Sequence, residues 1–213
     1  MMLHKSIIVA AGAVILLASA GAQDEETTAL SPDNKFVFKF QDDHPDVPFG
    51  VFSRKSGKMV FKATDEANTS FVSTVRCLWS PDSRQFALNY RAGGRYNTTD
   101  IYRWDGKTFV KAPSFEEMLG ARLQIEKTKD LKAQGIKADA YQRRIWDSFS
   151  TKRWIDVNTV EVDAYTIRAV ATKNDDFADI TGSLRFVVHW ENQGKWKIIK
   201  QKPMSPEEMD KAN

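Results

Sequence analysis

An internal repeat constrains the fold of this chain more than any other feature of its sequence. Residues 30–38 read LSPDNKFVF and residues 79–87, which lie 49 positions later, read WSPDSRQFA. A second motif recurs at the same spacing, because residues 52–60 (FSRKSGKMV) align with residues 101–109 (IYRWDGKTF). Two motifs that repeat at one spacing, with no gap between them, indicate that one structural unit occurs twice.

The repeated residues are typical of turns between antiparallel strands. In Ser-Pro-Asp the proline presets φ, and the serine and aspartate side chains hydrogen-bond to nearby backbone groups. An apolar strand follows each of these turns, at residues 35–40 and 85–90. The Ser-Gly-Lys and Asp-Gly-Lys segments predict hairpin turns in which glycine supplies a positive φ. Each unit is therefore predicted to be a set of antiparallel strands.

This pattern resembles the blade repeat of WD40-like and TolB-like β-propellers, in which a strand often follows a Ser-Pro-Asp-Gly-Lys turn. Asn34 and Ser83 stand where that turn has glycine, and the resemblance covers residues 29–112. The resemblance implies blade-like sheets and a role as an interaction platform rather than as a catalyst. It transfers no functional residue to this chain.

A weaker third unit lies near the C-terminus, where residues 154–162 and 186–199 are similar to the earlier motifs. A propeller closes with about four or more blades, so two or three units predict a different arrangement. The expected fold is mainly β (α+β), with antiparallel blade-like sheets in an open or incomplete propeller or a sandwich. The expected domains are two blade-like β repeats at 23–112, a helical insertion at 113–149, a C-terminal antiparallel β unit at 150–202 packed on the first, and a flexible tail at 203–213.

The insertion near 114–149 is predicted to be helical from its capping residues and composition. Ser114 and Glu117 form a capping box, helix-forming residues continue to about residue 134, and Gly135 suits a helix end. Asp139 is predicted to cap a second short helix, which carries apolar side chains at positions 141, 145, 146 and 149.

Two interpretations of the first helix stay open. Its charged residues at i,i+4 spacing are typical of a solvated face. In the alternative, the helix docks a partner protein and offers it the side chains of Leu119, Leu123 and Ile125.

The N-terminus has the pattern of an export signal. A short basic stretch precedes the apolar run Ile7–Ala18, and small residues that suit cleavage after Ala20 or Ala22 follow. The apolar run has 12 residues, whereas about 20 are needed to span a bilayer, although an uncleaved anchor is the alternative. Residues 1–22 are therefore predicted to be a signal peptide, and the mature chain to be soluble and periplasmic or secreted.

Charge and cysteine content exclude some functions. The formal net charge is +3, from 31 Lys and Arg against 28 Asp and Glu, and the two signs are interleaved along the chain. Nucleic-acid binding needs clustered positive charge, so no nucleic-acid partner is expected. The single cysteine, Cys77, rules out an intramolecular disulfide. A buried structural thiol is the preferred interpretation, and a nucleophile paired with His44 or His189 is the alternative.

Two loops are candidates for ligand contacts. Asp42, Asp43, His44 and Asp46 place three carboxylates and an imidazole within five residues, a set of ligands that suits a divalent cation. The alternative is a solvated acidic loop, in which case no cofactor is needed. The glycine-rich loop between Arg91 and Arg95 could meet an anion through its backbone N–H groups, or it is only a turn.

These observations predict an exported, non-catalytic binding or scaffold protein of the cell envelope or secreted space. Its expected partner is a protein or a glycan, bound through sheet edges, loops or the exposed helix. None of the sequence motifs of P-loop, Rossmann, zincin or α/β-hydrolase enzymes is present. The alternative is a small exported hydrolase whose carboxylates converge only in the folded chain.

Overall fold

Antiparallel strands account for most of this computed structural model, which describes residues 29–40, 49–64, 67, 74–172, 176–191 and 194–210. The elements in chain order are β1 Ala29–Leu30, β2 Phe36–Phe40, β3 Phe49–Ser53, β4 Met59–Lys62, β5 Arg76–Trp79, β6 Gln85–Gly93, β7 Tyr96–Trp104, β8 Phe109–Lys111, α1 Glu116–Ala133, β9 Gln142–Asp156, β10 Thr159–Ala171, β11 Phe177–Glu191, β12 Lys195–Pro203 and α2 Pro206–Asp210. The predicted signal peptide lies outside the described residues. Among the described helices, none is long and apolar enough to cross a membrane.

The described strands form two sheets. The first has the order β1-β2-β3-β4, and the second has eight strands in the order β12-β11-β10-β9-β7-β6-β5, with β8 also paired to β7. Among the described residues, every strand pair is antiparallel except β7 with β9, which pair in parallel over only two positions, Tyr96 with Asp147 and Asn97 with Ser148. The second sheet is strongly curled. The prediction of a mainly β fold with antiparallel sheets and an open or sandwich-like arrangement is confirmed.

The two repeat turns have the same internal hydrogen bonds. Ser31 Oγ donates to Asp33 Oδ1 over 2.8 Å, and Ser80 Oγ donates to Asp82 Oδ1 over 2.6 Å. Each serine Oγ also accepts the backbone N–H five residues later, at 3.0 Å in both turns. The duplication inferred from sequence is therefore reproduced in the geometry of both turns, which is compatible with propeller-like blades.

The residues that replace glycine in these turns take a left-handed backbone conformation. Asn34 has a φ of 60° and Ser83 has a φ of 62°, a region that costs a non-glycine residue some free energy. Ser83 gains a compensating contact, since its Oγ accepts the backbone N–H of Asp33 over 2.9 Å. The two turns are thus joined to each other by a hydrogen bond.

The two larger of the three hydrophobic cores in the described part of the chain hold the layers together. Between the first sheet and strands β5–β8, aromatic rings interlock, with the Phe61 and Tyr102 ring centroids 4.5 Å apart and those of Phe61 and Phe86 5.2 Å apart. The second core lies between α1, the C-terminal strands and the other face of the second repeat. Strands β5–β7 therefore form a central layer that is covered on both faces.

Helix α1 forms where a helix was predicted, with a small difference at its start. It begins at Glu116 and ends near Gly135, whose φ of +67° suits a helix C-terminus. Phe115 occupies the N-cap position, and Ser114 Oγ accepts the N–H of Glu116 over 3.1 Å.

The second predicted helix is wrong, because residues 142–156 form strand β9 instead. Trp146, Ser148 and Ser150 point to one face of this strand and Asp147 and Phe149 to the other, which is a period of two. Apolar residues four positions apart, such as Ile145 and Phe149, satisfy both a helix and a strand pattern. Strand β9 pairs with β10 along its length, from Gln142 to Asp156, and this pairing stabilises the strand over the helix.

Candidate ligand-binding cleft

A cleft of about 880 Å³ lies between the second repeat and the C-terminal strands. One wall comes from β5–β7, with Arg76, Asn89 and Arg91 among its side chains, and the other comes from β9–β11. Glu208 of α2 also lines the cleft. The cleft exists because β9 leaves β7 after two paired positions and crosses the face of β6 instead.

Asn89 fixes this crossing. Its Nδ2 donates to the carbonyl oxygen of Thr151 over 2.8 Å, and its Oδ1 accepts the N–H of Thr151 over 3.0 Å. A side-chain amide here makes the two bonds that a neighbouring strand would make. Further along, Trp154 Nε1 donates to the carbonyl oxygen of Leu78 over 2.8 Å. Strand β9 is therefore anchored across the second repeat, with the cleft on one side of it.

The described residues that line the cleft carry more positive than negative charge. Its four cations are Arg76, Arg91, Lys152 and Arg185, and its two carboxylates are Asp163 and Glu208. Tyr90, Tyr165 and Trp146 add aromatic surface to this lining. The cleft thus combines an excess of cationic groups with rings on which a ligand can pack.

Arg185 is the centre of the charged network. Its Nε and Nη2 donate to the two oxygens of Asp163 over 2.5 and 2.9 Å, and its Nη1 donates to Glu208 Oε1 over 2.7 Å. The Arg185 side chain is 10% exposed and that of Asp163 6%. The hydrogen bonds that Arg185 donates to Asp163 and the charges of both carboxylates raise the pKa of Arg185. Lys152 Nζ lies 3.9 Å from Asp163 Oδ2.

Glu208 reaches the cleft from the last described helix. Its Oε2 accepts the N–H of Ser205 over 3.0 Å and its own N–H donates to Ser205 Oγ over 3.2 Å, which is a capping box. Its Oε1 also contacts Lys202 Nζ at 3.2 Å. The N–H of Ser205, the ammonium of Lys202 and the charge of Arg185 together lower the pKa of Glu208 to about 2. Part of the tail predicted to be flexible is therefore the helix α2.

Arg91 is held at the mouth of the cleft by its own loop. Its guanidinium donates to the carbonyl oxygens of Gly93 and Gly94 over 3.1 and 2.6 Å and stacks 5.1 Å from the centre of the Trp146 ring. Trp146 Nε1 is buried and finds no hydrogen-bond partner among the described residues. Arg95 is exposed and donates to the carbonyl oxygen of Arg144 over 3.1 Å. Of the two predicted arginines, Arg91 lines the cleft and Arg95 is not among its lining residues.

Two of the three residues proposed for partner docking are in the core. Leu119 is 0% exposed and Leu123 is 2% exposed, since both pack against Val162, Leu184 and neighbouring residues of the sheet. The expectation that α1 offers these two leucines on its surface is therefore corrected. Ile125 lies on the opposite side of the helix and is 48% exposed.

The remaining candidate sites have different outcomes. Asp42, Asp43, His44 and Asp46 lie outside the described residues. Within the described ranges, no three His, Cys, Asp or Glu side chains lie close enough to hold a metal ion. Cys77 packs beside the aromatic core and burial raises the pKa of its thiol, as expected for a structural cysteine.

Sequence analysis missed the main charged residues of the cleft, although one signal for them was available. Asp163 pairs directly with Arg185 in the β10–β11 hairpin, because the register that joins Ala171 to Phe177 continues to that position. Between the two strands, the sequence Asn-Asp-Asp at residues 174–176 predicts a turn. Counting outward from that turn would have placed Asp163 opposite Arg185.

Comparison with known proteins gives no family assignment: no protein-family model matches the chain, and no curated protein matches it.

Proposed function

We propose that this chain is an exported, non-catalytic binding protein whose ligand sits in the cleft between the second repeat and the C-terminal strands. The observation that carries the proposal is the cleft itself, which is about 880 Å³ in volume and lined by four cations and three aromatic rings. Clefts of a few hundred to a thousand cubic ångströms with few, well-placed polar groups are typical ligand sites.

Two further observations support binding rather than catalysis. Both carboxylates of the cleft are engaged by Arg185, and the pKa of Glu208 is held at about 2. A general acid needs a carboxyl group that stays protonated near neutral pH, which Glu208 does not. The blade-like repeats also resemble those of propellers, which serve mainly as interaction platforms.

A hydrolase is the second candidate, because Asp163 and Glu208 come from distant parts of the chain and converge in one cleft. In that case the pair would flank the reacting bond, as carboxylate pairs do in glycosidases. The shared contact with Arg185 makes this the weaker of the two proposals.

Site-specific photo-crosslinking in cells tests the binding proposal. A photoreactive phenylalanine analogue replaces Arg76, which is exposed in the cleft, or Val110, which is exposed on β8 and does not line it. We expect one dominant crosslinked partner, protein or glycan, from position 76 and none from position 110. Crosslinking of the same partner from both positions, or from position 110 alone, would place the binding surface elsewhere.

The same purified protein tests export. Intact mass should correspond to a chain that begins at Gly21 or Gln23, after cleavage at one of the two predicted sites. A mass that includes residues 1–20 would argue against processing of a signal peptide.

A further inference from the structure

Three strands carry a row of charged side chains across the sheet. Asp163 on β10 lies opposite Arg185 on β11, and Arg185 lies opposite Lys202 on β12. Like charges directly opposite each other on neighbouring strands are destabilising. An anion that contacts both cations would relieve the repulsion between Arg185 and Lys202.

Glu208 supplies that anion in this structure. Its Oε1 accepts from Arg185 Nη1 over 2.7 Å and from Lys202 Nζ over 3.2 Å, so a single carboxylate oxygen joins both cations. Arg185 is fixed from its other side by two bonds to Asp163 and is nearly buried. Because these contacts hold Arg185 in place, a carboxylate position is already formed on the sheet before any ligand arrives. We call Arg185 and Lys202 the carboxylate seat.

The element that carries Glu208 is small and peripheral. Helix α2 has five residues, Pro206–Asp210, and it is the last described element of the chain. Its capping box with Ser205 is local, and the Glu208 side chain is 30% exposed. Helices this short have little stability of their own. The Glu208 carboxylate can therefore leave the seat without disturbing the sheet.

We propose that the carboxylate seat is a binding subsite for a glutamate side chain of an acidic partner peptide. In the free protein, Glu208 occupies the seat instead of that glutamate. This inference rests on the cleft being the binding site. A polypeptide glutamate is the group that the seat already accommodates, and Arg76 and Lys152 extend positive charge along the same cleft. With Glu208 displaced, Asp163 would be the only carboxylate among the described lining residues, against four cations.

Calorimetry of acetyl-hexaglutamate amide binding to the full chain tests whether the carboxylate seat binds glutamate side chains. The three proteins are the wild type, Glu208→Ala, and the matched control Glu207→Ala, which removes one negative charge at the neighbouring exposed position. If Glu208 occupies the seat most of the time, its removal should tighten binding about tenfold, because a competing occupant lowers apparent affinity by the free fraction. Glu207→Ala should stay within about twofold of wild type, since an exposed charge contributes little.

A second variant tests the seat by removing one of its cations rather than its occupant. Lys202→Gln in the Glu208→Ala protein keeps the sheet and removes one of the two cations, so binding of the peptide should weaken about fivefold. Equal affinity of Glu208→Ala and Glu207→Ala would overturn the seat. Failure of all these proteins to bind the peptide would also overturn the seat. The photo-crosslinking result would then decide independently whether a partner binds in the cleft. A trigalacturonate that binds Glu208→Ala more tightly than the peptide does would overturn the peptide assignment in favour of an acidic glycan.

Discussion

Arg185 joins two carboxylates that come from separate parts of the chain. Asp163 occupies the position opposite it on β10, and Glu208 arrives from α2, which follows the last strand. Removing one partner of a buried ion pair leaves the other charge without compensation, which is more costly than losing an exposed pair. The bond between Arg185 and Asp163 should therefore be important for stability as well as for the shape of the cleft.

Replacing Asp163 with asparagine should destabilise the fold. We expect a loss of about 3 kcal/mol in the free energy of unfolding, because Arg185 would keep only its contact with Glu208. Urea denaturation of the purified proteins measures the difference. The matched control is Glu161→Gln on the same strand, whose partner Arg153 is exposed, and which should cost less than about 1 kcal/mol. Equal effects of the two substitutions would contradict the role given to the buried pair.

At the scale of elements, helix α1 depends on one glycine in the sheet below it. A Cβ at Gly182 on β11 would overlap the carbonyl oxygen of Leu123 in α1. The helix approaches the strand so closely that any larger residue would push it away.

Alanine at position 182 should therefore destabilise the protein by about 1–3 kcal/mol, the usual cost of overfilling a packed core. Gly120→Ala is the control, because a Cβ at Gly120 meets nothing within 4 Å. In the middle of α1 that substitution should stabilise the helix by about 0.5–1 kcal/mol. Thermal unfolding of both variants gives the comparison, and a stabilising effect of alanine at position 182 would contradict the close packing.

The elements were predictable from sequence where one pattern dominated. Helix α1 follows Ser114 and ends beside Gly135, and these two signals were enough to identify it. Strand β9 was not, because Ile145, Trp146 and Phe149 suit a helical face as well as a strand. Strand β9 takes its conformation because it pairs with β10, and a local sequence pattern does not predict such a tertiary contact.

At the scale of the whole molecule, the cleft depends on how the layers cross. Asn89 and Thr151 are 62 positions apart, and their hydrogen bonds place β9 across the second repeat. The repeat predicted the strands and turns of residues 29–112. No local sequence feature predicted where the C-terminal strands would pack on these repeats. The arginine at position 91 was identified from its glycine-rich loop, whereas Lys152 and Arg185 come together because β9 and β11 both pair with β10.

Charge reversal of the cleft wall tests the central claim most directly, and the readout is co-purification, without a crosslinker, of the partner that crosslinking from position 76 identifies. The double substitution Arg76→Glu and Lys152→Glu changes two exposed cations that line the cleft. The control, Lys55→Glu with Lys107→Glu, makes the same change of net charge on the two exposed repeat hairpins. We predict that the cleft variant loses the partner by about fivefold or more while the control retains it, since interfacial charge reversal opposes binding locally. Equal recovery of the partner by both variants would contradict binding in the cleft.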